Sequence, residues 1–343
     1  MKTFPDGSRL TIALIPNKML GDGIITLLLA NNLHINSFEV TVFHDFILPL
    51  NEWFPFNIKP VNEELDEAVL DSFDIVLADT FSNFSARYSG LELEKIAQKI
   101  IFFSSGKLHD VFYHNHEDRL RIKLSGHKSD FIDNFASASR VIKFNKTNSM
   151  VENFTIYCKD TLNLPIVTDQ PGYSLPDNLV TRHQKKRVVI SPTSSLAKKE
   201  WGAHKFISLA QKIKANGQDV FFTFAPEERE KWLVILNGEF NAPEFQGIKE
   251  FATFLANTDI LIGNDSGAGH LASSLGKPVL TIVSSPKKKN FRWRPGWGDN
   301  MVVTPPFTFS VFGKGFWRPF LTVNKVFENY QVLLESAVSR QSQ

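Results

Sequence analysis

Apolar stretches of strand length alternate with longer helical patterns along this chain. The stretches "RLTIALIP" from Arg9 and "FDIVLADT" from Phe73 are apolar at nearly every position, and a helical pattern from about Ile24 to Leu33 follows the first of them. Strands that are apolar on both faces and are separated by helices are typical of a parallel sheet covered on both sides. The sequence therefore predicts an α/β fold.

The same alternation starts again after the polar stretch "TDQPGYSLPDNLVTRHQKK" (Thr168 to Lys186), where Pro, Gly and charge interrupt the periodicity. A chain of 343 residues also favours two domains, since a domain takes roughly 100 to 200 residues. We predict two doubly wound, Rossmann-like domains that face each other across a cleft. Residues 1–170 would form the N-terminal domain, 171–186 the linker, 187–320 the C-terminal domain, and 321–343 a helix packing back on the N-terminal domain.

Composition excludes several classes of protein. A formal net charge of +2 gives no general argument for nucleic acid, and the single cysteine, Cys158, excludes an internal disulfide framework and any CxxC site. The longest apolar runs, such as "IITLLLA", are far shorter than the roughly 18 residues that a membrane span requires. We expect a cytoplasmic protein, with a peripheral position at the inner face of the cytoplasmic membrane left open.

The segment "GNDSGAGHLASSLGKP" follows the strand pattern "DILIGND" and begins a helix. Its polar residues therefore lie at the carboxyl edge of a parallel sheet, where a capping carboxylate or hydroxyl and uncovered backbone N–H groups can hold a diphosphate. The alternative is a small-residue turn that only lets the helix pack on the strand, with the histidine as a packed structural residue. The residues assigned to this turn are Asp265, Ser266, Gly267, Ala268, Gly269 and His270.

Two more strand ends in the same half carry candidate ligand groups. In "SPTSSLAKKEWGAHKF", Ser194 and Ser195 offer hydroxyls, Lys199 a cation and Trp201 a rigid platform, although the lysine could also sit in a solvated loop. In "FTFAPEERE", Glu228 could grip a ribose or a base, or serve only as an acid at a helix N-terminus.

The N-terminal half has one comparable place, the turn "NKMLGDG" between the first strand and the first helix. Gly21 and Gly23 hold Asp22 at the carboxyl edge of the sheet. Asp22 is either an N-cap or a catalytic base.

Together these segments resemble glycosyltransferase family 9, the ADP-heptose lipopolysaccharide heptosyltransferases of Gram-negative bacteria. The family's Gly-Asp near the N-terminus is similar to Gly21 and Asp22, and its Lys-x-Trp is similar to Lys199 and Trp201, with paired hydroxyls at Ser194 and Ser195. The positions that fit the family's second pattern in register are Asp265, Gly267, His270, Leu271, Leu275, Gly276 and Pro278.

This resemblance implies a GT-B fold and an inverting, metal-independent sugar transfer, with heptose from ADP-heptose as the donor and a lipopolysaccharide inner core or related glycan as the acceptor. It also implies that residues 1–170 bind the acceptor and residues 187–320 bind the sugar nucleotide. Asp22 would deprotonate the acceptor hydroxyl. Lys199, the hydroxyls of Ser194 and Ser195, and the N–H groups after Asp265 would stabilise the departing diphosphate. Asp265 itself would bind sugar hydroxyls. No metal or other cofactor is expected beside the nucleotide sugar.

Two basic segments suggest contacts with anions. In "GKLHDVFYHNHEDRLRIKLSGHK", Arg119, Arg121 and Lys123 would meet an anionic glycan or glycolipid acceptor, with a solvated face or a histidine metal site as alternatives. The aromatic and basic segments "NFRWRPGWG" and "GFWRPF" would touch anionic lipid headgroups or pack inside the fold.

Other functions remain open from the sequence. Within enzymes they are a transferase that uses another nucleotide sugar or a protein acceptor, and a GT-B nucleotide-sugar epimerase. Outside enzymes, a sugar-nucleotide binder that has lost transfer would keep the diphosphate turn. Nucleic-acid binding is not expected, because basic residues are scattered over both halves without a known module.

Overall fold

The structure is a computed structural model that describes residues 9–61, 69–70, 72–79, 101–103, 145, 147–176, 179, 186–285, 292–311 and 314–341. The chain divides into two compact units. The first contains Met1–Asn145 and Val151–Ser174, and the second contains Lys146–Met150 and Leu175–Gln343. The division after Ser174 falls inside the polar stretch that we predicted as a linker.

The first unit is built on a parallel sheet of five described strands in the order β3-β2-β1-β4-β5. Its strands are β1 (Thr11–Ile15), β2 (Glu39–Phe43), β3 (Asn57–Lys59), β4 (Ile75–Asp79) and β5 (Ile101–Phe103). Its described helices are α1 (Leu20–Ile35) and α2 (Met150–Ile156), which continues into a π-helical turn at Tyr157–Thr161.

The second unit repeats this plan with the parallel order β10-β9-β8-β6-β7. Its main strands are β6 (Arg187–Ser191), β7 (Asp219–Phe222), β8 (Ile260–Asn264), β9 (Val279–Ile282) and β10 (Asn300–Val303), and β11 (Phe309–Val311) and β12 (Lys314–Phe316) form an antiparallel hairpin. Its helices are α3 (Ala203–Ala215), α4 (Arg229–Leu236), α5 (Ile248–Ala256), α6 (Gly267–Ser274) and α7 (Val323–Gln341).

Burial of the central strands explains their sequence. In β1 and in β6 every residue after the first is buried, as expected for the central strands of a sheet that is covered on both faces. The predicted α/β class, with two doubly wound units, is confirmed. The predicted strand "SRVIKF" lies outside the described residues.

Both units close the starting edge of their sheet with an aspartate. Asp74, just before β4, accepts hydrogen bonds from the main-chain N–H and the hydroxyl of Thr11, both at 2.9 Å. Asp259, just before β8, accepts from the main-chain N–H of Arg187 at 2.7 Å. In each unit the carboxylate thus binds a main-chain N–H at the start of the first strand and links that strand to its neighbour.

Helix α1 is apolar on most sides and is buried from Gly23 to Leu33. Its asparagines hold a returning segment of chain. Asn32 exchanges two 2.8 Å hydrogen bonds with the main chain of Thr168, and Asn36 does the same with Ile166 at 2.7 and 3.1 Å. The side-chain amides act as a short ladder, so they are satisfied although the helix is buried.

The first turn of α1 differs from the sequence prediction. We expected a turn through "NKMLGDG" with the helix beginning near Ile24, but the helix begins at Leu20 and Asp22 is its third residue. The N–H of Gly23 donates to the Met19 oxygen at 2.9 Å and closes the first turn. Gly23 is needed for a packing reason: a Cβ at this position would lie 2.4 Å from Nε2 of His44.

The closing helix α7 also differs from the expectation that it packs on the N-terminal domain. Val326, Tyr330 and Leu333 are buried in the core of the second unit, and α7 lies against α3. Among the described residues, no helix combines the length and the apolar character needed to cross a membrane.

The close contact at Gly23 gives a test of this packing. We expect Gly23→Ala to lower the free energy of unfolding by about 1–3 kcal/mol, because the new methyl group overlaps the buried His44 ring. Urea unfolding of wild type and variant measures this. The same change in a His44→Ala background should cost much less.

Gly269→Ala is the matched control, since Gly269 also lies in the first turn of a helix that follows a strand. Its new Cβ would meet only ordinary contacts, at 3.5 Å from Pro295 and 3.6 Å from Val279. If both alanine variants unfold at the same urea concentration as wild type, the proposed reason for Gly23 is wrong.

Candidate functional site

The predicted donor residues of the second unit lie in two loops that leave neighbouring strands. β6 and β8 are paired in the sheet, and their carboxyl ends approach so closely that a Cβ on Gly263 would lie 2.4 Å from the Ser191 oxygen. The loop after β6, residues 192–202, runs to α3, and we call it the donor loop. The loop after β8 runs directly into α6. Adjacent strand ends of this kind are where ligands bind in doubly wound folds.

A buried asparagine joins the two loops. Asn264, at the end of β8, donates from its side-chain nitrogen to the Pro192 oxygen and accepts from the main-chain N–H of Trp201 at 3.2 Å. It is 2% exposed. Both ends of the loop that carries Ser194, Ser195 and Lys199 are therefore fixed to β8 by one side chain.

Within this frame the structure brings Lys199 and Asp265 together. The lysine ammonium donates to a carboxylate oxygen of Asp265 at 2.8 Å, and the side chains are 37% and 26% exposed. The Ser194 hydroxyl donates to the main-chain oxygen of Asp265 at 3.2 Å. The ion pair lies at the boundary between protein and solvent, so a bound ligand could contact it directly.

The N-terminus of α6 carries no side-chain cap. Ser266 occupies the N-cap position in an extended conformation, but its hydroxyl makes no capping bond, and the Asp265 carboxylate is paired with Lys199. The capping role that we considered for these two residues is therefore not seen. The first helical residues, Gly267 and Ala268, are half-buried, whereas Gly269 is buried. Uncapped N–H groups at the positive end of a helix are suited to an anion.

Three buried polar atoms at this sheet edge have no hydrogen-bond partner among the described residues: the hydroxyl oxygens of Ser266 and Thr223, and Nδ1 of His270. Thr223 directly follows β7, the other neighbour of β6. A buried polar group without a partner costs about 1–3 kcal/mol. A polar ligand at this edge would remove that cost.

His270 belongs to the same cluster. It is 6% exposed, and burial lowers the pKa of its imidazole, while the Asp265 charge and a main-chain contact with Trp293 act in the opposite direction and Lys199 lowers it further. The ring is therefore kept neutral and lies within electrostatic reach of the ion pair. Packing and ligand binding, the two alternatives of the sequence analysis, both agree with this position.

Trp201 does not occupy the role predicted for it. It is fully buried at 0% exposure, its indole N–H donates to the Leu321 oxygen at 3.0 Å, and its ring meets Phe206 edge to face. It cannot offer a platform to a ligand in this position. It anchors the end of the donor loop to the core, which explains why an aromatic residue stands directly before α3.

The segment "GFWRPF" packs against the donor loop, in line with the packing alternative of the sequence analysis, but its hydrogen bonds to that loop were not predicted. The Trp317 indole N–H donates to the Lys198 oxygen at 3.2 Å, and the Arg318 guanidinium donates to the oxygens of Glu200 at 2.6 Å and Ala197 at 2.8 Å. The three oxygens belong to one short turn of the donor loop, from Ala197 to Glu200. The only sequence signal was the mixture of aromatic and basic residues.

The segment "RWRPGW" packs on α6, as one of the two sequence alternatives had it. Trp297 is buried, its main-chain N–H donates to the Ser273 hydroxyl at 2.9 Å, and that hydroxyl donates to the Trp297 oxygen at 2.6 Å. Arg294 donates to the Thr147 oxygen at 3.2 Å. This segment thus helps to hold α6 in place.

In the first unit, a buried histidine supports the turn that carries Asp22. Nε2 of His44 lies 3.0 Å from the Asn17 oxygen, and burial lowers the pKa of the ring against the main-chain contacts of Asn17 and Met19 and the charge of Asp45. Asp22 is half-buried in the first turn of α1. No sequence pattern had pointed to His44.

The remaining predicted residues are only partly placed. Glu228 ends a 3-10 turn after β7 and stands before α4 without capping it, and Ser195 is exposed beside Ser194. Arg119, Arg121 and Lys123, like the histidines of that segment, lie outside the described residues. Within the part of the chain that is described, no group of three or more His, Cys, Asp or Glu side chains could hold a metal ion.

A family model matches this chain. The model of glycosyltransferase family 9 (heptosyltransferase) covers residues 124–305, which is more than half of the chain. This range includes the donor loop and the loop that leads into α6. The chain belongs to glycosyltransferase family 9. The match confirms the predicted family, and it does not extend to Asp22.

Individual relatives agree with this family. The lipopolysaccharide core heptosyltransferase OpsX of Haemophilus influenzae is 26% identical over 125 residues, which are 35% of this chain and 36% of that protein. The match thus spans little more than a third of the length of that relative.

Solved structures of heptosyltransferases share the fold over nearly the whole chain. The ADP-heptose lipopolysaccharide heptosyltransferase II of E. coli matches with a TM-score of 0.66 at 16% identity, covering 95% of this chain and 99% of that one. The E. coli heptosyltransferase WaaC with ADP matches with a TM-score of 0.61 at 15% identity, covering 94% and 100%. At these identities the likeness concerns the fold.

The neutral state of His270 leads to a prediction for pH dependence. Its pKa is lowered below 6.5 in the folded protein, so the unfolded chain takes up the proton first as the pH falls. The free energy of unfolding should therefore decrease below about pH 6.5, by up to about 1.4 kcal/mol per pH unit from this group. Urea unfolding over this range should show a shallower decrease for His270→Gln, and parallel curves for the two proteins would contradict the assignment.

Proposed function

We propose that this family 9 member transfers heptose from ADP-heptose to a lipopolysaccharide inner-core or related glycan, with inversion at the anomeric carbon and without a metal ion. The observation that carries the proposal is the Lys199–Asp265 ion pair beside the uncapped N-terminus of α6. Two comparisons support it: the E. coli heptosyltransferase WaaC was solved with ADP, and the relative in Haemophilus influenzae is named for lipopolysaccharide core heptosyl transfer.

The diphosphate of the donor would occupy the edge between the two loops. Lys199 has three ammonium hydrogens, and its bond to Asp265 uses one of them, so donors remain for phosphate oxygens. The N–H groups of Gly267 and Ala268 and the hydroxyls of Ser194, Ser195 and Ser266 would add neutral hydrogen bonds. As the sugar leaves, negative charge grows on the diphosphate, and a preorganised cation and helix N-terminus stabilise it most at that stage.

Asp265 would bind hydroxyl groups of the donor sugar. A carboxylate next to a diphosphate is repelled by it, but Lys199 at 2.8 Å offsets the charge of Asp265 and allows both anions at one site. His270, one turn into α6, would accept or donate a hydrogen bond at Nδ1. Glu228, after β7, would hold the ribose.

Asp22 would act as the general base that takes the proton of the acceptor hydroxyl. His44 and Gly23 hold the turn that positions it, because the imidazole bonds to the Asn17 oxygen and fills the space where a side chain on residue 23 would lie. Arg119, Arg121 and Lys123 would bind anionic groups of the acceptor. The reaction would take place in the cytoplasm, at the inner face of the membrane.

Titration calorimetry with ADP tests the donor site. Lys199→Ala should weaken ADP binding by tenfold or more, since removing one partner of a charge-assisted hydrogen bond costs about 1.5–3 kcal/mol. Lys198→Ala is the matched control, because its side chain is exposed and next in sequence. Equal losses in the two variants would show a general charge effect, and tighter binding of UDP than of ADP would contradict the proposed donor.

Asp22→Asn tests the transfer step with nearly unchanged shape. We expect ADP affinity to stay at the wild-type value and heptose transfer to a truncated lipopolysaccharide to fall by about 10²–10⁴-fold, the usual contribution of a general base. The release of ADP serves as the measure of transfer. If the variant transfers at the wild-type rate, Asp22 is not the base, and if the wild type binds ADP-heptose but transfers to no acceptor, the chain is a binder.

A further inference from the structure

The second unit displays an aromatic surface that the donor site does not use. We call it the phenylalanine hairpin and define it by the described residues 307–311 and 314–320, which include β11 and β12. Phe309 and Phe316 are paired across the hairpin with stacked rings 5.8 Å apart, and Phe320 lies 5.5 Å from Phe309 and 4.4 Å from Phe307. The rings thus form one continuous cluster.

This cluster is largely open to solvent. Phe307, Phe309 and Phe316 are 55%, 49% and 46% exposed. Single exposed apolar residues are common, but contiguous exposed aromatic rings mark a surface that contacts a partner or a membrane. Pairing within a hairpin also keeps the rings in place, so they need not be ordered when a partner arrives.

The charge of the surrounding sequence indicates which kind of partner fits. From residue 300 to residue 327 the chain contains Lys314, Arg318 and Lys325 and no Asp or Glu, while Asp299 and Glu328 flank this range and Glu328 lies 4.0 Å from Lys325. The Arg318 guanidinium binds main-chain oxygens, which do not neutralise its charge. Aromatic residues with cations and without acids suit the interface of a bilayer with anionic headgroups, which repels carboxylates and attracts Lys and Arg.

The base of the hairpin is joined to the donor loop. Trp317 and Arg318 donate hydrogen bonds to the main-chain oxygens of Ala197, Lys198 and Glu200, on both sides of Lys199. Lys205 adds bonds to the oxygens of Arg318 and Leu321. A surface bound by the hairpin therefore lies next to the segment that carries Lys199, the residue proposed to bind the diphosphate.

We propose that the phenylalanine hairpin docks on the anionic surface of the bilayer and so brings the donor site to an acceptor anchored there. The proposal rests on the proposed function in one respect, that the acceptor is a glycolipid. Docking itself is a separate property and can be measured without transfer.

Sedimentation with vesicles tests the docking. Wild-type protein should bind vesicles of phosphatidylcholine with phosphatidylglycerol and bind vesicles of phosphatidylcholine alone more weakly. The triple variant Phe307→Ser, Phe309→Ser, Phe316→Ser should lose about tenfold or more in partitioning, since binding scales with inserted apolar area. The single variant Phe307→Ser should lose part of it, which keeps the test open if the triple variant unfolds.

The matched control is Leu233→Ser with Val234→Ser on α4, two residues of the same unit that are 42% and 81% exposed. It should bind vesicles as wild type does, and every variant should keep the wild-type ADP affinity and transfer to a lipid-free acceptor oligosaccharide. No binding by wild type, equal binding by the triple variant, or equal loss in the control overturns the proposal. A wild-type dimer that the triple variant dissociates also overturns it, because the hairpin would then be covered by a second copy. If the wild-type protein itself shows no ADP binding or no transfer, that result would instead count against the proposed function.

Discussion

The donor site depends on the buried amide of Asn264. A side chain that is 2% exposed has to satisfy both its nitrogen and its oxygen, and it does so only by binding the two ends of the loop between β6 and α3. Without it, the Pro192 oxygen and the Trp201 N–H would lose their partner inside the protein. The position of Lys199 follows from this constraint, because the lysine lies between the two fixed ends.

Electrostatics complete the arrangement. The Lys199–Asp265 pair is neutral as a whole, and α6 supplies its dipole without a capping side chain. Because Lys199 is paired with Asp265, the free protein does not bear the cost of burying an isolated cation, and the site can still bind an anion. The first unit likewise avoids an isolated buried charge, because His44 is kept neutral while it holds the turn that carries Asp22.

The sequence predicted much of the fold because its signals are local. Two-sided apolar strands and the helix with the "GAGHLASS" pattern are found where the periodicity places them, and Lys199 and Asp265 meet because adjacent parallel strands end at one edge. The errors share one physical cause, which is contact between distant residues. The first turn of α1 looked like a loop because glycine is a poor helix former, and only the ring of His44 explains it.

Trp201 and the "GFWRPF" segment show the same limit. An aromatic residue before a helix is equally suited to a ligand platform and to a core anchor, and the choice is made by Leu321, 120 positions later in the chain. Arg318 looked like a surface cation, but its partners are main-chain oxygens whose location no local pattern reveals.

The link between the hairpin and the donor loop has a consequence for how this protein can diverge. Trp317 and Arg318 bind carbonyl oxygens, which every amino acid supplies. Ala197, Lys198 and Glu200 can therefore be exchanged without breaking the link, whereas the tryptophan and the arginine cannot. Natural variation is thus permitted in the loop that surrounds Lys199 and is constrained more than 110 residues away, at a place that a motif search for the donor site would not inspect.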